Sequence, residues 1–299
     1  MSTFIEADRL SLRYDNTVTA LDEVSFTLTG GKIYGLLGRN GSGKTSLLSV
    51  LAGYRKASGG TVTVGGRPVF ENAEVTGQVC LVRGTGDAAV SNVKVKELLD
   101  FAGHLRPSWD ADYARELAEL FELSLDKTAG ALSHGRQSAL GIVVGLASRT
   151  PVTMFDESYL GLDAPARYKF YDALLAEAMA HPRTMILSTH LIEEVSALFE
   201  EVLILDEGRL VLHDDAESLR AAGSAVTGDA EQVDRFVDGM RVLGEKRLGR
   251  TKSAMVYGEL DADRRAQAHA AGLDLGPLAL QDLFVHLTEP ARAEQGEPR

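Results

Sequence analysis

Eight consecutive residues, Gly38-Arg39-Asn40-Gly41-Ser42-Gly43-Lys44-Thr45, fit the phosphate-binding pattern G-x-x-x-x-G-K-[ST]. Its glycines let backbone N–H groups curl round phosphate oxygens, and the helix that follows points its positive end at them. Lys44 would reach the β- and γ-phosphates of a nucleotide, and the Thr45 hydroxyl would ligate Mg²⁺. Gly38, Asn40, Gly41, Ser42, Gly43 and Ser46 complete the expected nucleotide contacts. A second run, Val152-Thr153-Met154-Phe155-Asp156-Glu157, is an apolar strand that ends in two carboxylates. After a phosphate-binding loop, a carboxylate at such a strand end supports Mg²⁺, which assigns that role to Asp156. Glu157, next to it, would polarise the attacking water.

The elements around these runs predict how they are positioned. Residues 5–14 and 21–28 alternate as strands, and the compact run 32–37 leads directly into the Gly-rich loop. Helical spacing begins at Ser46 and stops at Gly53. From about Val93 to Ser148 the pattern is mostly helical. After it, strand 152–155, helix 164–180, strand 184–188, helix 191–199 and strand 202–205 alternate, which predicts a parallel α/β sheet.

Between the two chemical runs stands Leu132-Ser133-His134-Gly135-Arg136, 89 residues after Lys44 to its serine and 23 before Asp156. It resembles the Leu-Ser-Gly-Gly-Gln signature of the ATP-binding cassette (ABC) proteins. Other landmarks of that family fall in order: Ser158-Tyr159-Leu160-Gly161-Leu162-Asp163 is similar to its D-loop, and Leu187-Ser188-Thr189-His190-Leu191 to its switch-histidine segment. Tyr14 stands where the family places an aromatic ring under adenine. The resemblance spans about residues 3–218. It implies that Ser133 and Gly135 of one cassette contact the γ-phosphate held by another, that Asp163 crosses the dimer interface, and that His190 steadies the transferring phosphoryl group. Each has a plainer alternative. Ser133 and Asp163 are good helix N-caps, Tyr14 can cover a sheet edge, and His190 can be a buried structural histidine.

Two departures stand out. The family places a Gln that contacts Mg²⁺ and the attacking water in the loop after the strand equivalent to Val79–Val82. Here that stretch reads Arg83-Gly84-Thr85-Gly86-Asp87, with Gln78 upstream of the strand. Gly84 takes the position, so turnover is expected to be slow and to rise when Gln is installed there. In the signature, His134 replaces the first Gly and Arg136 the Gln.

Composition bounds the partners. With 44% hydrophobic and 25% charged residues the chain is no disordered polymer. A net charge of −12 argues against nucleic acid as a partner. The single cysteine, Cys80, fits a reducing compartment. The longest apolar uncharged stretch, 139–148, is far short of the roughly 20 residues that span a membrane. No signal peptide is visible at the N-terminus. The expected location is therefore cytoplasmic, with peripheral attachment to the inner face of the cell membrane through other subunits.

The resemblance implies an ATPase subunit (ATP and Mg²⁺ as ligands) that works as a homodimer or cassette heterodimer beneath multi-span membrane permease subunits. The alternative is a non-transport cassette acting on ribosomes or DNA. One phosphate loop, one signature and no long coiled coil between them favour the transporter, and the extra C-terminal segment resembles export cassettes. The expected fold is α/β. A phosphate-loop cassette occupies residues 1–222, with an N-terminal antiparallel subdomain and a helical subdomain near 88–150. A small α+β appendage follows over 223–288, then a disordered tail over 289–299.

Overall fold

The computed structural model describes residues 4–15, 17–84, 91–258 and 260–288. The expected tail and residues 85–90 of the loop after Gly84 lie outside them. Two compact units emerge, one from the described residues up to His190 with Ala197–His213, the other from Leu191–Ser196 with the residues from Asp214 onward.

In the first unit, β1 (Ile5–Tyr14), β2 (Val18–Leu28), β4 (Gly59–Val64) and β5 (Arg67–Pro68) form an antiparallel sheet ordered β2-β1-β4-β5. β1 supplies Ile5 and Ala7 to the core and, past an irregularity at Asp8-Arg9 that shifts the alternation by one residue, Leu10 and Leu12. The central sheet contains β3 (Ile33–Leu37), β6 (Val79–Arg83), β7 (Val152–Asp156), β8 (Thr184–Thr189), β9 (Glu201–Asp206) and β10 (Arg209–Asp215), ordered β10-β9-β3-β8-β7-β6. The pairs from β9 through β3, β8 and β7 to β6 are parallel. β3, β7 and β8 are buried along their whole length, which explains their continuous apolar runs.

Helix α1 (Lys44–Leu51) puts Leu47, Leu48, Val50 and Leu51 into the core between the two sheets, beside Leu36, Met154 and Ile186. Each such side chain, fully buried, stabilises the fold by about 1.5–3 kcal/mol. A short α2 (Ala73–Thr76) precedes β6. The helical stretch comprises α3 (Val95–Leu105), α4 (Ala111–Leu120) and α5 (His134–Ala147), and α6 (Ala164–Ala180) follows β7. A buried aromatic cluster fixes the segment after β7. Phe155 meets Phe170 edge-on at 5.2 Å, and Tyr159 stacks on Phe170 at 5.8 Å. The three residues between Phe155 and Tyr159 include Glu157.

The second unit begins with α7 (Ile192–Val195) and continues with α8 (Ala216–Ala221). The helix expected over 191–199 stops at Val195 and gives way to a 3₁₀ turn, Ser196–Leu198, whose first carbonyl is taken by the Arg220 guanidinium. β11 (Gly223–Asp229), α9 (Ala230–Val237), β12 (Arg241–Leu248), β13 (Thr251–Tyr257), α10 (Ala262–Ala270) and β14 (Asp274–Pro277) then run β-α-β-β-α-β. Their strands form an antiparallel sheet ordered β12-β13-β11-β14, a split βαβ sandwich. Val226, Ala254 and Val256 of the sheet pack with Val233, Phe236 and Val237 of α9. Helix α11 (Leu280–Thr288) packs on β12, α7 and α8. Gly223-Ser224-Ala225, which reads as a boundary in sequence, is the start of an inner strand. A Cβ on Gly223 would lie 2.5 Å from the Val256 carbonyl oxygen, so this glycine serves close approach rather than flexibility.

Candidate functional site

The first cluster of candidate residues gathers at the C-terminal ends of the parallel strands. The loop after β3 carries Gly38 to Gly43, Asp156 ends β7, and His190 follows β8. Gly43 caps α1 at φ 104°, and a Cβ there would sit 2.5 Å from the Ala20 carbonyl oxygen, so only glycine fits. Gly38 leaves room for the Ser42 side chain, whose hydroxyl would be 2.2 Å from a Cβ. That hydroxyl is buried and has no hydrogen-bond partner among the described residues. An unpaired buried hydroxyl inside a loop of amides fits a phosphate oxygen. Asn40, Gly41 and Thr45 are exposed along the same loop and first helical turn.

Lys44 is buried, and its ammonium donates to the carbonyl oxygens of Gly38 at 2.7 Å and Arg39 at 3.2 Å. It also lies 3.5 Å from Glu157 Oε1. The same carboxylate oxygen is 3.1 Å from His190 Nδ1, which requires the proton on Nδ1 when Glu157 is ionised. Lys44, Glu157 and His190, remote in sequence, thus meet at one point.

Ser188 orders the two adjacent acids. Its hydroxyl donates to Asp156 Oδ1 at 2.6 Å and accepts from the Glu157 amide at 3.1 Å. Glu157 has φ 48°, the left-handed region that a side chain rarely adopts. The flanking aromatic rings and the Ser188 bond hold it there. Asp156 is buried, and its carboxylate belongs with the Thr45 hydroxyl to the hard-oxygen donors that suit Mg²⁺.

Gly84 adds a contact that the sequence conceals. Its amide donates to the Asp156 carbonyl oxygen at 3.3 Å, and a Cβ on it would stand 2.9 Å from the Glu157 carbonyl oxygen. The expectation that Gln at 84 would raise turnover therefore meets a steric objection: any side chain there pushes on the backbone of Glu157. Ser138 Oγ, on α5, donates to the Gly84 carbonyl oxygen at 3.3 Å. Neither Ser188 nor Ser138 belongs to the residues singled out from sequence. Ser188 lies inside the switch-histidine segment, whereas nothing local marks Ser138.

Tyr14 ends β1. Its hydroxyl is 3.1 Å from Ser46 Oγ on α1, and the Arg55 guanidinium lies 4.6 Å from its ring centre.

Ser133, Gly135 and Asp163 fall in a second cluster, lining a cavity of about 240 Å³ with Arg136 and Lys169. Ser133 caps α5 by accepting from the Arg136 amide at 3.4 Å, and Asp163 caps α6 by accepting from the Ala166 amide at 3.0 Å. A Cβ on Gly135 would meet the Gly161 carbonyl oxygen at 2.9 Å, so the two helix starts pack closely. Arg136 pairs with Glu122 at 3.0 Å, and the His134 ring would lie 3.1 Å from a Cβ on Gly161. Between β6, α3 and α5 runs a third feature, an apolar groove of about 400 Å³. Exposed Phe101 and Leu105 lie on its rim, beside Leu140, Val144 and Arg83.

Comparison with known proteins agrees with this geometry. A family model described as "ABC transporter" matches residues 21–159. The Nod factor export ATP-binding protein I of Burkholderia pseudomallei (strain K96243) is 32% identical over 213 residues, 69% of either chain. The daunorubicin resistance ATP-binding protein DrrA2 of Streptomyces coeruleorubidus is 27% identical over 307 aligned positions, covering 98% of this chain and 88% of that one. Among solved structures, an ATP-binding subunit of an ABC transporter superposes with a TM-score of 0.66 at 23% identity, over 73% of this chain and 92% of its own. Fold, motif order and relatives converge: the chain belongs to the ABC transporter ATP-binding proteins, a family of ATP-hydrolysing cassettes.

Proposed function

We propose that this ATP-binding subunit drives export. Two of its cassettes, or one with a related cassette, close around ATP beneath multi-span permease subunits at the inner face of the cell membrane. One observation carries the reading. Within a single chain the candidate residues form two clusters, Lys44-Asp156-Glu157-His190 and Ser133-Gly135-Asp163, and the second opens onto its own cavity. A head-to-tail pair sets the second cluster of one cassette over the first of the other. The names of the Nod factor and daunorubicin relatives support the export direction.

In this reading the loop amides and Lys44 hold the phosphates, and the Tyr14 ring lies under the base. Thr45 and Asp156 hold Mg²⁺, which supplies charge neutralisation at the β- and γ-phosphates. The α5 N-terminus of the second cassette, with Ser133 and Gly135, points free amides at the γ-phosphate. Glu157 orients the attacking water and takes its proton, and Nδ1–H of His190 keeps that carboxylate aimed. Hydrolysis removes the anion that both cassettes share, and the pair reopens. The apolar groove edged by Phe101 and Leu105 receives an apolar segment of the permease, so that opening and closing pass through the helical stretch.

Size-exclusion chromatography with and without ATP tests the arrangement. Glu157→Gln keeps shape but removes the base, and it should elute as a dimer with ATP alone. Lys44→Ala loses the phosphate contact and should remain monomeric at the same ATP concentration. A Glu157→Gln protein that binds ATP yet stays monomeric removes the homodimer from this reading.

A further inference from the structure

Arg83 ends β6, directly before Gly84, in register with Asp156 on β7. Its guanidinium donates to Ser49 Oγ at 2.8 Å and lies 5.4 Å from the centre of the Tyr54 ring. Ser49 is buried on α1 one turn beyond Thr45, and its hydroxyl donates to the Thr45 carbonyl oxygen at 2.5 Å. A continuous hydrogen-bonded path therefore runs from the end of β6 to the first turn of α1. The same arginine lines the apolar groove. A serine that bonds back to the carbonyl four residues earlier slightly destabilises a helix and often bends it. Here a cation is added to that hydroxyl, and charged donors make the stronger hydrogen bonds. Position 84 itself has no room for a side chain, because a Cβ there would press on the Glu157 carbonyl oxygen.

We propose that Arg83 is a positioning residue for the metal-nucleotide site. Acting through Ser49, it holds the Thr45 turn of α1 against the end of β6 and links that turn to the groove. The inference rests on the reading above, in which Thr45 holds Mg²⁺. It accounts for the absence of a side chain at 84: the link from strand end to nucleotide starts one residue earlier and reaches the phosphate loop from the helix side.

The test measures metal binding without turnover, with the full chain, a non-hydrolysable ATP analogue and Mn²⁺ titrated by paramagnetic resonance. Arg83→Ala and Ser49→Ala should each weaken Mn²⁺ binding by roughly 3- to 10-fold, the scale of one hydrogen bond. The double variant should be no worse than the weaker single one, because both break the same path. Arg83→Lys keeps the charge and a donor and should recover part of the loss. Affinity for the analogue without metal should stay at the parent value in all four. Unchanged Mn²⁺ affinity in Arg83→Ala, or losses that add in the double variant, would overturn the proposal. Thr45→Ala separates the two levels. If it keeps full Mn²⁺ affinity, the metal assignment itself fails; if it loses affinity while Arg83→Ala does not, only the role of Arg83 fails.

Discussion

The two units are each built on one main sheet with helices packed against it, yet they use strand direction differently. In the first, β3, β6, β7 and β8 run parallel, so their C-terminal ends lie at one edge and deliver Lys44, Asp156, Glu157 and His190 to a common place. In the second, β11, β12, β13 and β14 pair antiparallel, and the ends of neighbouring strands point to opposite edges. Its charged side chains settle into local pairs instead, such as Lys252 between Asp234 and Glu245, and Lys246 with Asp282. Parallel strands collect chemistry from distant parts of a chain; antiparallel strands spread it out.

That contrast is open to direct attack. Glu157→Gln should lower ATP turnover by roughly 10²–10⁴-fold, the range for loss of general-base assistance. The melting of the second unit should be unchanged, as read by calorimetry. Conversely, Leu273→Ala empties a buried position in the core of the second unit and should destabilise that unit by about 2–5 kcal/mol. If it instead abolishes ATP binding while the protein remains folded, the two regions are less separate in function than their topology suggests.

Gly84 sharpens the comparison at smaller scale. Gly84→Gln should reduce turnover, by up to about 10²-fold if Glu157 shifts by near an ångström. Steady-state kinetics beside ATP affinity would register this as a fall in kcat, and a rise would mean that the loop yields without moving Glu157. The smallest effect lies away from the site. Burial pushes the Glu201 carboxyl up, but hydrogen bonds from Lys32 and His213 outweigh it and hold the group below its ordinary value of 4.5. A lowered carboxyl contributes stability above pH 4.5, lost as pH falls through the lower folded value. Glu201→Gln should flatten the acid side of the first unit's plot of melting temperature against pH, with no effect on ATP binding at neutral pH.

Much of the first unit was legible because its chemistry is written in contiguous runs. Residues 38–45 and 152–157 each carry residue types, spacing and element context together. The residues that hold those runs in place were not legible. Ser188 looks like any strand serine, Ser138 like any helical one, and the strain at Glu157 leaves no mark on the sequence. The restriction at Gly84 exists only because β6 and β7 are neighbours. In the second unit the periodicities suggested mixed α and β structure, yet Gly223 read as a linker because glycine marks both flexible joints and close backbone contacts. Only the pairing with β13 distinguishes them.

Helix α7 has a consequence for how the protein is made. Its four residues begin two positions after His190, but they belong to the second unit and are packed by α11. At about 5–20 residues per second, the ribosome reaches Leu280 several seconds or more after it has passed Val195. Throughout that interval Ile192 and Val195, both buried in the finished fold, lack one of their covering surfaces. A nascent chain can therefore assemble its nucleotide loop early, while the segment leading out of the histidine stays incompletely covered. Holdase chaperones and proteases would meet that segment first, so a translation pause before residue 280 leaves the chain open to capture or cleavage near 192–195.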